Sequence, residues 1–225
     1  MKSLTSVAFA LLVFCISCKE NPIEVMKEKK DGKQVEYQFD KNKKVKNGYF
    51  KSFDEKGRLF METSYVNDTL EGKEIFYYEN GKKKSEAILK KGLYDGPYMS
   101  WYENGSKEQE FNYVLSQIEG SLKTYYSNGK LKEDVTMKET LENGPFVEYY
   151  ENGNLKTKGQ YASGPNTEQC YLYMYDSLQA NELTKKMICN LGACCTVWEK
   201  DSKISITPEC KKRVEELKDK CKDEQ

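Results

Sequence analysis

Along most of the chain apolar positions alternate with polar ones, and the alternation restarts at a fixed interval. Leu131, Val135 and Met137 fall on one parity, with Lys132, Asp134 and Thr136 on the other. Leu59, Met61 and Tyr65, then Phe111 and Tyr113, then Leu155 and Tyr161 keep the same arrangement. A period of two predicts strands with one buried and one wet face. Each of these strands follows a short turn sequence: FDEKG (53–57), YYENG (77–81), WYENG (101–105), YYSNG (125–129) or YYENG (149–153), starting 24 residues apart. Asn and Gly tolerate the positive φ that a tight hairpin demands, so each turn predicts a β-hairpin. A second ruler agrees with the first. Gly48, Gly72, Gly96, Gly120 and Gly144 each stand nine residues before a turn glycine, and a regular period of this length marks a repeat array.

The expected fold is therefore all-β: an elongated antiparallel meander of hairpins over residues 33–164, each unit needing its neighbours to bury a continuous face. Val35, Tyr37 and Phe39 keep the repeat's spacing to Gly48. They predict the second strand of an incomplete first repeat, an N-terminal cap. The strand before each turn carries aromatic residues on both parities. One column is Phe53, Tyr77, Trp101, Tyr125 and Tyr149; the next is Asp54, Tyr78, Tyr102, Tyr126 and Tyr150. The pleat sends neighbours to opposite faces, so one column is expected to face the core and the other outward. Tyr78, Tyr102, Tyr126 and Tyr150 are the candidate binding face. Sheet packing is the plainer explanation of both columns, and stacking on sugar rings is the functional alternative.

The two ends differ from the array. Lys2 and the apolar run VAFALLVFCI (7–16), followed by Ser17, predict a signal peptide over 1–17, since ten apolar residues are too few to span a bilayer. The stretch CISC (15–18) resembles a bacterial lipobox, with Cys15 where that motif usually carries Leu. The resemblance implies cleavage before Cys18 and its lipidation. Residues 18–32 then read as a charged, aperiodic, lipidated tether.

Beyond Gly164-Pro165 the strict period stops, and residues 165–225 read as a cysteine-rich cap. Tyr171, Tyr173 and Tyr175 still alternate, and LTKKMIC (183–189) keeps the look of a second strand. Cys170, Cys189, Cys194, Cys195, Cys210 and Cys221 are an even set in an exported chain, the signature of a disulfide framework. Without histidine or paired Cys-x2-Cys knuckles, zinc is the weaker explanation, and no metal site is expected. Thr207-Pro208 predicts a helix start, with Cys210, Val214, Leu217 and Cys221 on one stripe. Cys210 and Cys221 would lie about 16 Å apart along that helix, too far to bond each other. Adjacent Cys194 and Cys195 are also poor partners, and several connectivities stay open. Stapled onto the last strands, the helix is expected to cover the open sheet edge.

Composition narrows the function. Lys plus Arg equals Asp plus Glu at 36 each, so no global field attracts nucleic acid. Histidine is absent from the 225 residues, which removes the commonest general base and metal ligand. The carboxylates fall on wet strand positions and turns, and no phosphate loop or nucleophile elbow is present. The reading is non-enzymatic, with no catalytic residues and no cofactor.

Glycine, an aromatic pair, Asn-Gly, charged alternation and a second glycine, as in GKEIFYYENGKKKSEAILKKGLYDG (72–96) and GPFVEYYENGNLK (144–156), resemble the bacterial variant of the MORN repeat. The resemblance covers about 48–164. It implies antiparallel hairpin arrays without known catalytic residues; many members carry an antitoxin-like label, and MORN arrays elsewhere are described as lipid-binding or protein-assembling. The function expected is a membrane-anchored envelope scaffold that binds a protein, the outer membrane being favoured because Lys19 rather than Asp follows Cys18. A glycan-binding protein, or an immunity protein against an incoming toxin, is the alternative.

Overall fold

A strand that is apolar on one parity only is marginal as an isolated hairpin, and it becomes stable when further strands extend the apolar face. The chain solves this serially. The computed structural model describes residues 22–30, 32–163, 169–176, 183–190 and 193–199, together with Lys212 and Glu215. Its strands are β1 (Ile23–Lys30), β2 (Lys33–Asp40), β3 (Val45–Phe53), β4 (Leu59–Val66), β5 (Thr69–Leu70), β6 (Gly72–Tyr77), β7 (Lys83–Lys90), β8 (Leu93–Tyr94), β9 (Gly96–Trp101), β10 (Lys107–Val114), β11 (Gln117–Tyr125), β12 (Leu131–Lys138), β13 (Leu141–Tyr149), β14 (Leu155–Ser163), β15 (Gln169–Asp176), β16 (Leu183–Asn190) and β17 (Ala193–Glu199). All belong to one sheet. The short β5 and β8 are the first steps of the strands that continue as β6 and β9, pairing with β4 and β7 respectively. The topology is the antiparallel meander expected.

The apolar parity forms one face, and the register shows how. Tyr37 pairs with Phe50 and Phe50 with Thr63; further along, Leu122 pairs with Val135 and Val135 with Phe146. The best-covered part of this face is the cluster of Val135, Met137 and Phe146, against which Ile118, Leu122 and Tyr161 pack. Ala87 and Leu89 are buried in the middle of the array. The second ruler of glycines belongs to the same face. Gly48, Gly72, Gly96, Gly120 and Gly144 stand opposite Tyr65, Leu89, Tyr113, Met137 and Tyr161, so each repeat sets a residue without a side chain against a large one.

The opposite face is a charged lattice. Lys73 pairs with Glu86 (2.5 Å), Lys27 with Glu36 (3.0 Å) and Lys123 with Asp134 (3.9 Å) across strands. These pairs are solvent-exposed on the lysine side, and each adds little beyond keeping like charges apart.

Three expectations need correction. Residues 23–30, expected within the tether, form β1 and pair along their full length with β2 from Ile23↔Asp40 to Lys30↔Lys33. IEVMKEKK is polar enough to read as linker, but it lies at an outer position of the sheet, where alternating charge is tolerated. Consequently the first repeat is a complete hairpin and not the half-unit expected from Val35, Tyr37 and Phe39. The third concerns the Asn-Gly turns: Gly81, Gly105, Gly129 and Gly153 take positive φ, while the asparagines before them do not.

The meander also runs on past residue 164. β14 pairs with β15, β15 with β16 and β16 with β17, so the backbone of 169–199 adds strands to the sheet, and the strands expected from Tyr171–Tyr175 and LTKKMIC are present. Lys212 and Glu215 have helical backbone. The signal segment, Cys18, Cys210 and Cys221 lie outside the described residues.

Candidate functional site

The two kinds of turn line up along the two long rims of the sheet, and each rim is stitched from one repeat to the next. On the Asn-Gly rim the turn closes over three residues. Tyr78 N donates to Lys82 O and Gly81 N to Tyr78 O, both at 2.9 Å, and the same pair of bonds recurs at Tyr102, Tyr126 and Tyr150. This is a type I turn followed by a glycine bulge. The asparagine works through its side chain: Asn80 Oδ1 accepts Lys82 N (2.9 Å), Asn104 Oδ1 accepts Ser106 N (2.9 Å) and Asn128 Oδ1 accepts Lys130 N (3.0 Å). Asn at this position is chosen for that acceptor.

Tyr78, Tyr102 and Tyr126, three of the four candidate binding residues, are inter-repeat rungs. Their hydroxyls donate to the backbone carbonyls of Trp101 (2.6 Å), Tyr125 (2.7 Å) and Tyr149 (2.8 Å), 23 residues ahead in each case. Burial raises the pKa of all three phenols. The register slips by one residue just beyond each turn and leaves an extra residue on the returning strand. Three of these extras, Lys84, Lys132 and Lys156, hold their ammonium groups 5.7–5.9 Å from the rings of Tyr78, Tyr126 and Tyr150. All four rings are half-buried; Tyr78 and Tyr126 are both held by the hydroxyl and covered by a cation, Tyr102 is held by its hydroxyl, and Tyr150 is covered by Lys156. In the first repeat Asp54 occupies the tyrosine position and an ion-pair chain replaces the rung: Arg58 binds Asp54 (2.7 Å) and reaches Glu79 of the next repeat (2.8 Å).

The other aromatic column is on the charged face. Tyr77 donates to Glu62 and Tyr125 to Glu110. Burial, reinforced by these carboxylates, pushes both phenols up to about 12. Lys107, with help from Tyr125, lowers the pKa of Glu110. Tyr77 and Tyr125, like Tyr78, Tyr102 and Tyr126, are therefore bonded into the sheet through their hydroxyls. Sequence reading identified these residues but not their partners, because a rung depends on register.

One row is frustrated. Glu133 and Glu148 stand directly opposite on β12 and β13, flanked by Thr124 and Thr157. Lys156 neutralises Glu148 at 2.6 Å. Burial, followed by the Glu148 and Glu142 charges, raises the pKa of Glu133. A carboxyl with raised folded pKa gives its full stabilisation below the unfolded value of about 4.3 and loses it as pH rises through the folded value. Glu133→Gln is therefore expected to melt above the parent at pH 7.5 and level with it at pH 4, in thermal melts across that range.

The second rim carries two-residue turns in which both central residues have positive φ: Asn67-Asp68 (48° and 62°), Lys91-Gly92 (50° and 82°), Leu115-Ser116 (49° and 67°) and Glu139-Thr140 (51° and 68°). These are type I′ turns, whose twist matches paired strands. Each clasps the turn before it. Asp68 N donates to Lys46 O (2.9 Å) while Asp68 Oδ1 accepts Lys46 N (2.7 Å). Ser116 and Thr140 repeat the reciprocal pair with Tyr94 and Ile118.

This rim is also where aliphatic side chains meet water. Leu115 is 65% exposed, and Val66, Leu93, Val114 and Leu141 are likewise exposed; these are five of the seven large apolar residues exposed among the described ones. Two carboxylates nearby bond to the neighbouring turn: Glu71 accepts Lys91 N and Glu119 accepts Glu139 N, both at 2.8 Å. Among the described residues no cluster of three or more His, Cys, Asp or Glu could hold a metal.

The comparisons fit this geometry. The family described as MORN repeat variant matches residues 70–91, 94–114, 118–139 and 142–162. Each matched stretch is one Asn-Gly hairpin; the first three lie between two I′ turns, and the fourth follows the I′ turn Glu139-Thr140. No curated protein matches the chain. The four hairpins are MORN-variant repeats, and the protein is built as a repeat array around them.

Proposed function

We propose that the protein is a non-enzymatic envelope lipoprotein, held to the membrane through Cys18, whose array is a scaffold for binding another protein along the I′ rim. The observation that carries the rim assignment is Leu115. A bulky side chain in the left-handed region costs of order 1 kcal/mol or more where Asn or Gly would be free. Solvent exposure of an aliphatic side chain gives nothing back in the isolated chain. Strain and exposure coincide at one tip, and Val66, Leu93 and Leu141 extend it into a row. Lys44, Lys91 and Lys138 are exposed along the same rim, while Glu71, Glu119 and Asp68 each spend a carboxylate oxygen on a backbone N–H. An apolar surface ringed by acidic side chains is the complementary partner.

The test is Leu115→Asn in the full chain, with affinity capture from envelope extracts. Relief of the turn strain should raise Tm by about 2–4 °C, while loss of the anchor should reduce capture of the wild-type partner about thirtyfold or more. Capture that survives Leu115→Asn but is lost on altering Tyr78, Tyr102 and Tyr126 would move the site to the opposite rim. Retention on a glycan array with no protein captured would replace the protein partner by a sugar.

A further inference from the structure

The backbone register of the last three strands selects among the cysteine pairings. Cys189 on β16 and Cys194 on β17 are direct partners across the hairpin. The next pair toward the turn, Asn190↔Ala193, leaves two residues between its members. In a hairpin of that length the closing pair exchanges hydrogen bonds, and the pair beyond it is of the non-hydrogen-bonded kind. That kind brings Cα atoms to about 4.5 Å, with side chains on the same face, inside the window of about 4.4–6.8 Å that a disulfide accepts.

The other cysteines are placed differently. Cys195 is adjacent to Cys194 and so belongs to the opposite face, with its register partner Ile188. Cys170 is opposite Asn190, which shares that second face with Ile188. Among the described cysteines, Cys189 and Cys194 therefore share one face, and Cys170 and Cys195 the other.

We propose that Cys189 and Cys194 form a disulfide across the β16–β17 hairpin. Two thiols lose two protons and two electrons to a disulfide-bearing oxidant, which leaves as two thiols. Persistence of the bridge in cells rests on the export reading above; its formation in buffer does not.

The experiment equilibrates the reduced full chain in a mixed reduced and oxidised glutathione buffer and blocks free thiols. It then cleaves the chain with chymotrypsin, which cuts after Leu191 between the two residues, and maps peptides without reduction. The expected result is the peptide ending at Leu191 joined through Cys189 to the peptide that carries both Cys194 and Cys195, with fragmentation of the linked pair placing the bond on Cys194; a bond placed on Cys195 overturns the proposal. A vicinal Cys194–Cys195 bridge, or Cys189 joined to Cys170, Cys210 or Cys221, overturns the proposal. In Cys194→Ser, Cys189 should become the thiol that a maleimide labels; labelling at a different cysteine overturns it as well. The same map made on chain taken from cells separates the two readings. The bridge in buffer with free thiols in cells supports the pairing and removes the export reading.

Discussion

Gly144→Ala should cost about 2–6 kcal/mol and lower Tm by roughly 4–24 °C. Two independent penalties add at this position. Its φ of +125° lies where L residues rarely go, worth about 1–3 kcal/mol. A Cβ there would also stand 2.8 Å from Cβ of Thr136. That neighbour is a branched atom fixed to its own strand, so the backbone must shift, adding about 1–3 kcal/mol of overpacking. The control lies in the same column. Gly120 has a φ of +80° with nothing within 4 Å of the added atom, so Gly120→Ala should cost only about 1 kcal/mol, the ordinary left-handed penalty. Thermal melts of the two variants side by side check the claim. Equal losses would mean that φ alone decides, and that the close approach to Thr136 counts for nothing.

Phe146→Ala should be nearly as severe, at about 3–5 kcal/mol. The ring is 5% exposed, stands opposite Val135 and Gly159, and lies 4.4 Å from the ring of Tyr161. No second layer of described residues supplies a substitute for it. The loss should also be local. Each strand touches only its neighbours, so stability in such an array is close to a sum of nearest-neighbour terms. Amide exchange should quicken across β12–β14 and stay at the parent rate in β3–β7. A uniform increase throughout the sheet would contradict the nearest-neighbour description.

Much of the architecture could be read in the sequence because the repeat states it five times. The 24-residue period gives the hairpins, and parity gives the apolar face that carries Val135 and Met137. The I′ turns escaped notice for a physical reason. Leu115-Ser116 and Glu139-Thr140 contain neither Asn nor Gly, and nothing in their composition marks a left-handed pair; the pairing of β10 with β11 and of β12 with β13 imposes it. β1 escaped for another reason: IEVMKEKK has no buried parity to reveal it. In the candidate site the aromatic columns were evident, but what their hydroxyls touch was not, because Tyr78 meets Trp101 only after the sheet has twisted one repeat past it. The exposed rim was hidden by its ordinary appearance, since a lone Leu in a turn is unremarkable until its φ and its neighbours in space are known.

The clasps along both rims join residues 22 or 23 positions apart, always from one repeat to the adjacent one. Among the described residues no such clasp spans two repeats or refers to the length of the whole. A duplicated 24-residue segment would therefore arrive with all its own connections and leave the existing ones intact. Length is a quantity that the gene can change in unit steps, and the reach of the array can be adjusted by copying without redesigning any contact.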